Sequence, residues 1–311
     1  MRLRHLDIKG FRGFANFTVR DLRQVNLVIG RNNAGKTSLL EAIYLLEAVE
    51  GDPFVAICRD EDLPNRHLEL FNGRPAASSA GRLQIGSGAP DLDLQIELKQ
   101  GEFHVNRHVL QGASYRFKTG EAPHLMPATS PLLLGPGNAS PLRVAQLWDK
   151  ILFTPKHDDV KECLKLVVPD LVDLTLTPTN RKPIVRLASL AAPVSMASLG
   201  GGVTKLFELA CALVVSTGKV LLVDEIENGV HYSVHGEMWS FIFKIARTHD
   251  VQVFATTHSL DCFRGFAWAS HEIPEVEARV IRLDNHSGQV EPVIFFEEEF
   301  QLAAREEIEI R

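Results

Sequence analysis

Between an apolar run at residues 24–29, ending in Leu27, Val28 and Ile29, and an amphipathic run at 37–49, the chain reads Gly30-Arg31-Asn32-Asn33-Ala34-Gly35-Lys36-Thr37. This order permits few folds, because a buried strand must pass through a tight glycine turn directly into a helix whose first amides face that turn. Gly30 and Gly35 free the backbone to aim amides at an anion, and the helix start adds a partial positive charge. The spacing G-x-x-x-x-G-K-[ST] predicts a loop cradling a nucleoside triphosphate, with Lys36 at the β- and γ-phosphates and the Thr37 hydroxyl on Mg²⁺. Asn32, Asn33, Ala34 and Ser38 complete the residues expected around the phosphates. Leu39, Leu40, Ala42, Ile43 and Leu46 share the apolar face of the helix that follows.

Composition sets the outer bounds. The chain has 311 residues, of which 45% are hydrophobic and 23% charged, enough for one large domain or one domain plus an insertion. No run approaches the roughly eighteen apolar residues of a membrane span. The N-terminus opens with Arg2, Arg4, Asp7 and Lys9 instead of a signal peptide's apolar stretch, so a cytoplasmic protein is expected. Cys58, Cys163, Cys211 and Cys262 are widely separated without a C-x-x-C pair, which points to buried apolar thiols and away from a zinc site or disulfide framework. The net charge of −6 conceals a basic start (Arg2, Arg4, Lys9, Arg12, Arg20, Arg23, Arg31 and Lys36) and an acidic end from Glu291 onward. The basic end can serve nucleotide, DNA or an acidic partner, or simply form a solvated strand face.

Alternation at Leu3, Leu6 and Ile8, a turn at Phe11-Arg12-Gly13-Phe14 and a second strand at 15–19 predict a β-hairpin feeding the glycine loop. Residues 51–100 are rich in Gly, Pro and Ser apart from an alternating strand at Leu92, Leu94, Ile96 and Leu98, which runs at 103–109 and 114–118 can extend as a meander. A proline-rich stretch at 119–141 reads as loop, followed by helices at 142–153 and 160–167. Strands at 173–177 and 184–190 lead into alternating helix and strand, which predicts an α/β core with a parallel sheet. The last stretch, 295–310, spaces Phe296, Phe300, Ala303, Ala304 and Ile308 amphipathically, to dock on a partner or, as favoured here, on the chain's own core. Glu297, Glu298 and Glu299 diverge around such a helix and read as a solvated face, not a metal site.

Three further places carry chemistry. Val220-Leu221-Leu222-Val223 reads as a buried strand ending in Asp224 and Glu225. With a phosphate loop upstream, Asp224 is the natural partner of Thr37 at the metal, and Glu225 the group that orients or deprotonates an attacking water. A strand at 251–255 delivers Thr256-Thr257-His258-Ser259, where His258 can reach a γ-phosphate beside Glu225 and Ser259 or Thr257 can cap the next helix. Ser198-Leu199-Gly200-Gly201-Gly202 precedes an apolar helix through Phe207, Leu209, Ala210, Leu213 and Val214. This run is either a second phosphate-binding helix start or a flexible turn into a core helix.

The order of these elements resembles the ABC-type ATPase superfamily, in the branch of the OLD-family, RecF, Rad50 and SMC-like ATPases. Residues 30–37 match its Walker A loop, 199–206 its signature, 221–225 its Walker B strand, Glu227-Asn228-Gly229 its D-loop and His258 its switch histidine. The opening Ile8-Lys9-Gly10-Phe11-Arg12-Gly13-Phe14 is similar to the DNA-repair-type members, and Arg12 is carried with it as a nucleotide contact. The resemblance implies a single ATPase head over 1–311, comprising an antiparallel N-terminal β subdomain with Walker A (1–50), a less regular β and helical lobe (51–190), and the signature, Walker B and switch histidine on a mixed core sheet (191–311). It implies ATP and Mg²⁺, and two protomers closing head to tail, or a higher homo-oligomer, so that Ser198, Gly200, Gly201 and Gly202 of one face the γ-phosphate of the other. Gly200 stands where the signature normally has serine, leaving Ser198 as the alternative hydroxyl. No heptad array predicts a coiled-coil arm, and the roughly fifty residues after His258 are too few for a Toprim nuclease domain.

The expected function is a Mg²⁺-dependent ATPase with Lys36, Glu225 and His258 as its catalytic groups, acting as regulatory subunit for a separate effector such as a nuclease. DNA repair or phage defence is the implied setting, with DNA as a further ligand and no membrane. The alternatives are the energy subunit of an ABC transporter, disfavoured by the N-terminal motif, and a nucleotide-gated scaffold with little turnover, kept open by Gly200.

Overall fold

The computed structural model describes residues 2–48, 70–72, 81–88, 93–99, 102–108, 113–118, 131–137, 141–286, 288–308 and 310. In chain order the first half contains β1 (His5–Phe11), β2 (Phe14–Arg20), β3 (Val25–Ile29), α1 (Lys36–Glu47), β4 (Gly81–Gly86), β5 (Asp93–Lys99), β6 (Glu102–His108), β7 (Ala113–Lys118), β8 (Leu132–Leu134), α2 (Pro141–Asp149) and α3 (Lys156–Lys165). The second half contains β9 (Leu171–Leu176), β10 (Pro183–Leu187), β11 (Val194–Ser195), α4 (Gly201–Val215), β12 (Val220–Val223), α5 (His235–Thr248), β13 (Gln252–Thr256), α6 (Leu260–Glu272), β14 (Ala278–His286), β15 (Gln289–Phe295) and α7 (Glu297–Arg305).

The central sheet runs β15-β14-β3-β13-β12-β8. Its strands from β14 to β8 are mutually parallel and β15 closes the edge antiparallel, so the sheet is mixed. β3, β12 and β13 are buried throughout because both faces are covered, which is why they read as unbroken apolar runs. Strand alternation sends Leu27, Leu221 and Val253 into one core with α4, α5 and α6, and Val28, Leu222 and Phe254 into another with α1. The far side of α1 meets an antiparallel sheet, β2-β1-β4-β5-β6-β7, through Leu6, Ile8, Leu83 and Ile85. A third, small sheet, β11-β10-β9, joins α2 and α3 in the lobe that precedes α4. The expected mixed core sheet, antiparallel N-terminal sheet and helical lobe are therefore all present.

Three differences have identifiable causes. α1 is buried around most of its circumference, Glu41, Tyr44 and Leu45 included, where sequence periodicity suggests one buried face. Being sandwiched between two sheets leaves it no solvent side. β8 lies inside the proline-rich stretch expected to be loop, where Leu132, Leu133 and Leu134 pair parallel to β12 between Pro131 and Gly135. Pairing with a distant strand, not local pattern, makes it a strand. Glu297, expected to be solvated, is half-buried and serves a backbone amide, Ala278 N–H donating to its Oε1 at 2.9 Å, while Glu298 and Glu299 are exposed as expected, Glu299 Oε2 also accepting from Phe296 N–H at 2.8 Å.

Cys163, Cys211 and Cys262 are free and buried; Cys58, much of 51–90 and residues 119–130 lie outside the described residues. Burial pushes the Cys262 thiol up to about 12, so it behaves as an apolar filler, accepting a hydrogen bond from Trp239 Nε1 at 3.3 Å. No helix among the described residues is long and apolar enough to cross a membrane. α7 folds onto the chain's own core, with Phe300 fully buried against Phe266 at 5.4 Å between ring centroids. Phe300→Ala is expected to cost about 3–5 kcal/mol, read as a lowered midpoint in urea unfolding followed by circular dichroism.

Candidate active site

The carboxyl ends of β3, β12 and β13 open on one edge of the sheet, where ligands of such α/β folds bind. β3 ends at Ile29, and Gly30 follows with φ 144°; a Cβ there would lie 2.7 Å from the Leu283 carbonyl oxygen on β14. Gly35, with φ 99°, is the residue before α1, and a Cβ there would lie 3.1 Å from the Phe14 ring. Asn33 also adopts a left-handed conformation, φ 66°. α1 has no side-chain cap, so its first amides are available to an anion. Arg31, Asn32 and Asn33 are exposed, Ala34 is buried, and Ser38 follows Thr37 in the first turn.

Lys36 bends back over the loop, donating from Nζ to Gly30 O at 2.7 Å and Arg31 O at 3.0 Å. Burial pushes its pKa down, while Asp224, Glu225 and Glu227 pull the other way. The ammonium is thus held on neutral carbonyls beside three acids, positioned to exchange those carbonyls for phosphate oxygens.

Asp224 is buried and held by two hydroxyls. Thr37 Oγ1 donates to its Oδ2 at 2.8 Å, and Thr256 Oγ1 donates to its Oδ1 at 2.6 Å. The same Thr256 oxygen accepts from the Glu225 N–H at 2.8 Å. Glu225 has φ 49°, a conformation that costs a non-glycine residue roughly 1–2 kcal/mol; such outliers cluster at functional sites. Its Oε2 accepts from Asn228 Nδ2 at 2.6 Å. His258 directly follows β13 and its Thr257, half-exposed, with Nδ1 at 3.3 Å from Glu227 Oε1. Ser259 is the cap of α6, accepting from Cys262 N–H at 3.2 Å, so capping and a site-facing histidine occur side by side.

Lys36, Thr37, Asp224 and Glu225 are therefore drawn together at the loop formed by Gly30 to Ser38, and His258 is joined to that group through Glu227. The oxygen donors of Thr37 and Asp224 suit a hard divalent cation such as Mg²⁺. Arg12 lies elsewhere in the network, its Nε 3.1 Å from the buried Glu41 carboxylate on α1. Ser198 donates to Ser195 O at 2.6 Å. Gly200, with φ 107°, immediately precedes α4, and the space where Gly200 and Gly201 would carry a Cβ is open to 4 Å. Gly202 differs: its Cβ would lie 2.5 Å from Gly229 O, so it abuts the loop that follows Glu225. Two residues of the network carry no distinguishing pattern in the chain. Thr256 is one of several hydroxyls in a row, and Lys205 is one lysine in an apolar helix. Lys205 is buried and ties α4 to the exit of β8, donating to Gly135 O at 3.0 Å and Gly137 O at 2.8 Å.

Comparison with known proteins places this geometry. A family model described as an AAA ATPase domain matches residues 1–106. An "ATP/GTP phosphatase" of Helicobacter pylori is 22% identical, with 81% of this chain and 84% of that protein covered. The "DNA replication and repair protein RecF" of Pseudoalteromonas translucida is 50% identical over 41% of this chain, a stretch covering 31% of the relative. Among solved structures, the SMC head domain from Thermotoga maritima superposes with a TM-score of 0.55 at 13% identity, covering 95% of this chain and 99% of that one. An SmcHead bound to the C-winged helix domain of ScpA does so at 0.62 and 15% identity, covering 96% and 99%. The fold is that of ABC-type ATPase heads.

Thr256→Val preserves shape but removes the donor to Asp224 and the acceptor for the Glu225 amide. It is expected to lower stability by roughly 1–3 kcal/mol and to slow nucleotide hydrolysis, checked by thermal unfolding and a phosphate-release assay on the same preparation.

Proposed function

We propose that this chain, with the fold of ABC-type ATPase heads, is a Mg²⁺-dependent regulatory ATPase of the SMC/RecF type whose head, spanning 1–311, closes head to tail with a second copy around ATP. The observation that carries this reading is the junction at the sheet edge, where Thr37, Asp224, Glu225 and Thr256 are linked by hydrogen bonds beside Lys36 and His258. Thr37 and Asp224 would hold Mg²⁺, which neutralises charge on the β- and γ-phosphate oxygens. Lys36 moves its ammonium from the Gly30 and Arg31 carbonyls onto the phosphates. Glu225, anchored by Asn228, takes a proton from the water that attacks the γ-phosphorus; ADP leaves and phosphate is released. His258 faces the γ-phosphate.

The half-site argument rests on Gly200 and Gly201. Gly200 is the residue before a 15-residue helix that Gly201 begins, with open space at both positions, and although the Gly200 amide donates to Ala197 O at 3.3 Å, the helix start at Gly201 can face a phosphate that this chain's own loop would hold from the other side. A second copy supplies it. Closure on ATP and opening after hydrolysis would then transmit nucleotide state to a separate effector, a nuclease-like chain among the candidates. The RecF relatives, named for DNA replication and repair, favour a DNA repair setting over phage defence.

One observation favours a slower machine. With Gly200 in the signature's serine position and the Ser198 hydroxyl engaged by Ser195 O, no serine hydroxyl is free at this helix start, which suits a nucleotide-gated scaffold with little turnover.

Lys36→Ala is expected to abolish hydrolysis; retained turnover would overturn the ATPase site. Glu225→Gln is expected to slow turnover by about 100-fold or more, the usual scale of general base loss, while light scattering shows an ATP-dependent dimer. A monomer with ATP bound would remove the head-to-tail model. Duplex DNA is expected to stimulate hydrolysis with an effect that falls steeply as salt rises.

A further inference from the structure

Glu227 is a buried acid that the hydrolysis scheme above leaves without a task. It lies two residues beyond Glu225 on the loop between β12 and α5, and is 9% exposed. Its Oε1 accepts the His258 backbone N–H at 3.0 Å and sits 3.3 Å from His258 Nδ1. Its Oε2 is buried with no hydrogen-bond partner. A carboxylate with an unsatisfied buried oxygen is costly, and loop geometry alone does not call for it. The turn at this point is closed by the backbone, Val230 N–H donating to Glu227 O at 3.0 Å, a bond any residue could make.

The side chain therefore has a different use, and its contacts indicate which. One carboxylate oxygen grips both the main chain and the ring of a single residue, His258. A ring nitrogen facing a carboxylate carries the proton, which fixes the tautomer. The same contact orients the half-exposed His258 ring, two residues beyond β13. The same loop is pressed from behind by the start of α4, where Gly202 leaves room only for Gly229 O. One short loop thus meets the glycine-started helix through Gly229 and the histidine through Glu227.

We propose that Glu227 is the positioning residue of His258: its carboxylate sets the tautomer and orientation of the ring, and it acts on hydrolysis only through that ring. The proposal rests on the reading of His258 as the histidine that faces the γ-phosphate.

The test is a double-mutant cycle on the full chain with Mg²⁺ and ATP, comparing E227Q, H258A and E227Q/H258A in steady-state hydrolysis. E227Q keeps the shape and an acceptor for the His258 N–H but replaces the carboxylate at Nδ1. It is expected to lower kcat on the order of tenfold, the low end for groups that orient a working histidine, with KM for ATP nearly unchanged. E227D should recover part of the loss. The double variant should be no slower than H258A, because groups acting as a unit are not additive. If E227Q slows the H258A enzyme by the same factor as it slows the parent, Glu227 acts independently of the ring and the proposal falls. If H258A turns over like the parent, the assignment of His258 itself is wrong, a separate and recognisable failure. Should E227Q not fold, E227D and E227D/H258A run the same cycle.

Discussion

The hydroxyl of Thr256 holds the site in one piece. It gives its proton to Asp224 and takes the amide hydrogen of Glu225, so both acids at the end of β12 are placed by the neighbouring strand. β13 lies between β3 and β12, and its register pairs Ala255 with Val223 on one side and Thr256 with Val28 on the other. A slip of one residue would turn Thr256 to the opposite face and separate the acids from Thr37. The two apolar cores on either side of the sheet are what forbid that slip, because each strand splits its residues between them by parity. Packing distant from the nucleotide thereby determines the geometry of a few polar atoms at the strand ends.

Electrostatics and packing act together at the same edge. Lys36 resides on carbonyl oxygens, where its charge is met by dipoles, while three acids stand near it. Asp224 is buried, and both its carboxyl oxygens are met by hydroxyls. Glu225 adopts a strained backbone and Glu227 leaves an oxygen unpaired, both within a few residues of β12's end. Left-handed non-glycine residues and unpaired buried polar atoms also occur elsewhere among the described residues, but at the end of β12 both fall where a nucleotide would bring compensating charge.

Much of this is legible in the chain. The glycine loop can be read because its spacing imposes backbone conformations that few sequences satisfy, and β12 because an apolar run ending in two acids demands an explanation. The parallel core follows from alternating helix and strand. What cannot be read are contacts made by common residues with partners far along the chain. Lys205 gives no sign that it will be buried against Gly135 and Gly137, nor Arg12 that it will meet Glu41. β8 is three leucines in a proline-rich stretch until β12 is placed beside it. Thr256 belongs with them: its role depends on two neighbouring strands at once.

The burial of α1 has a mechanical consequence. A helix gripped by the central sheet on one side and the antiparallel sheet on the other has no freedom to tilt by itself, since close-packed interiors transmit displacement instead of absorbing it. The phosphate loop is the leading end of that helix. Through the shared core α1 is coupled to β1, β4 and β5, so the phosphate loop and the antiparallel sheet pack as one unit.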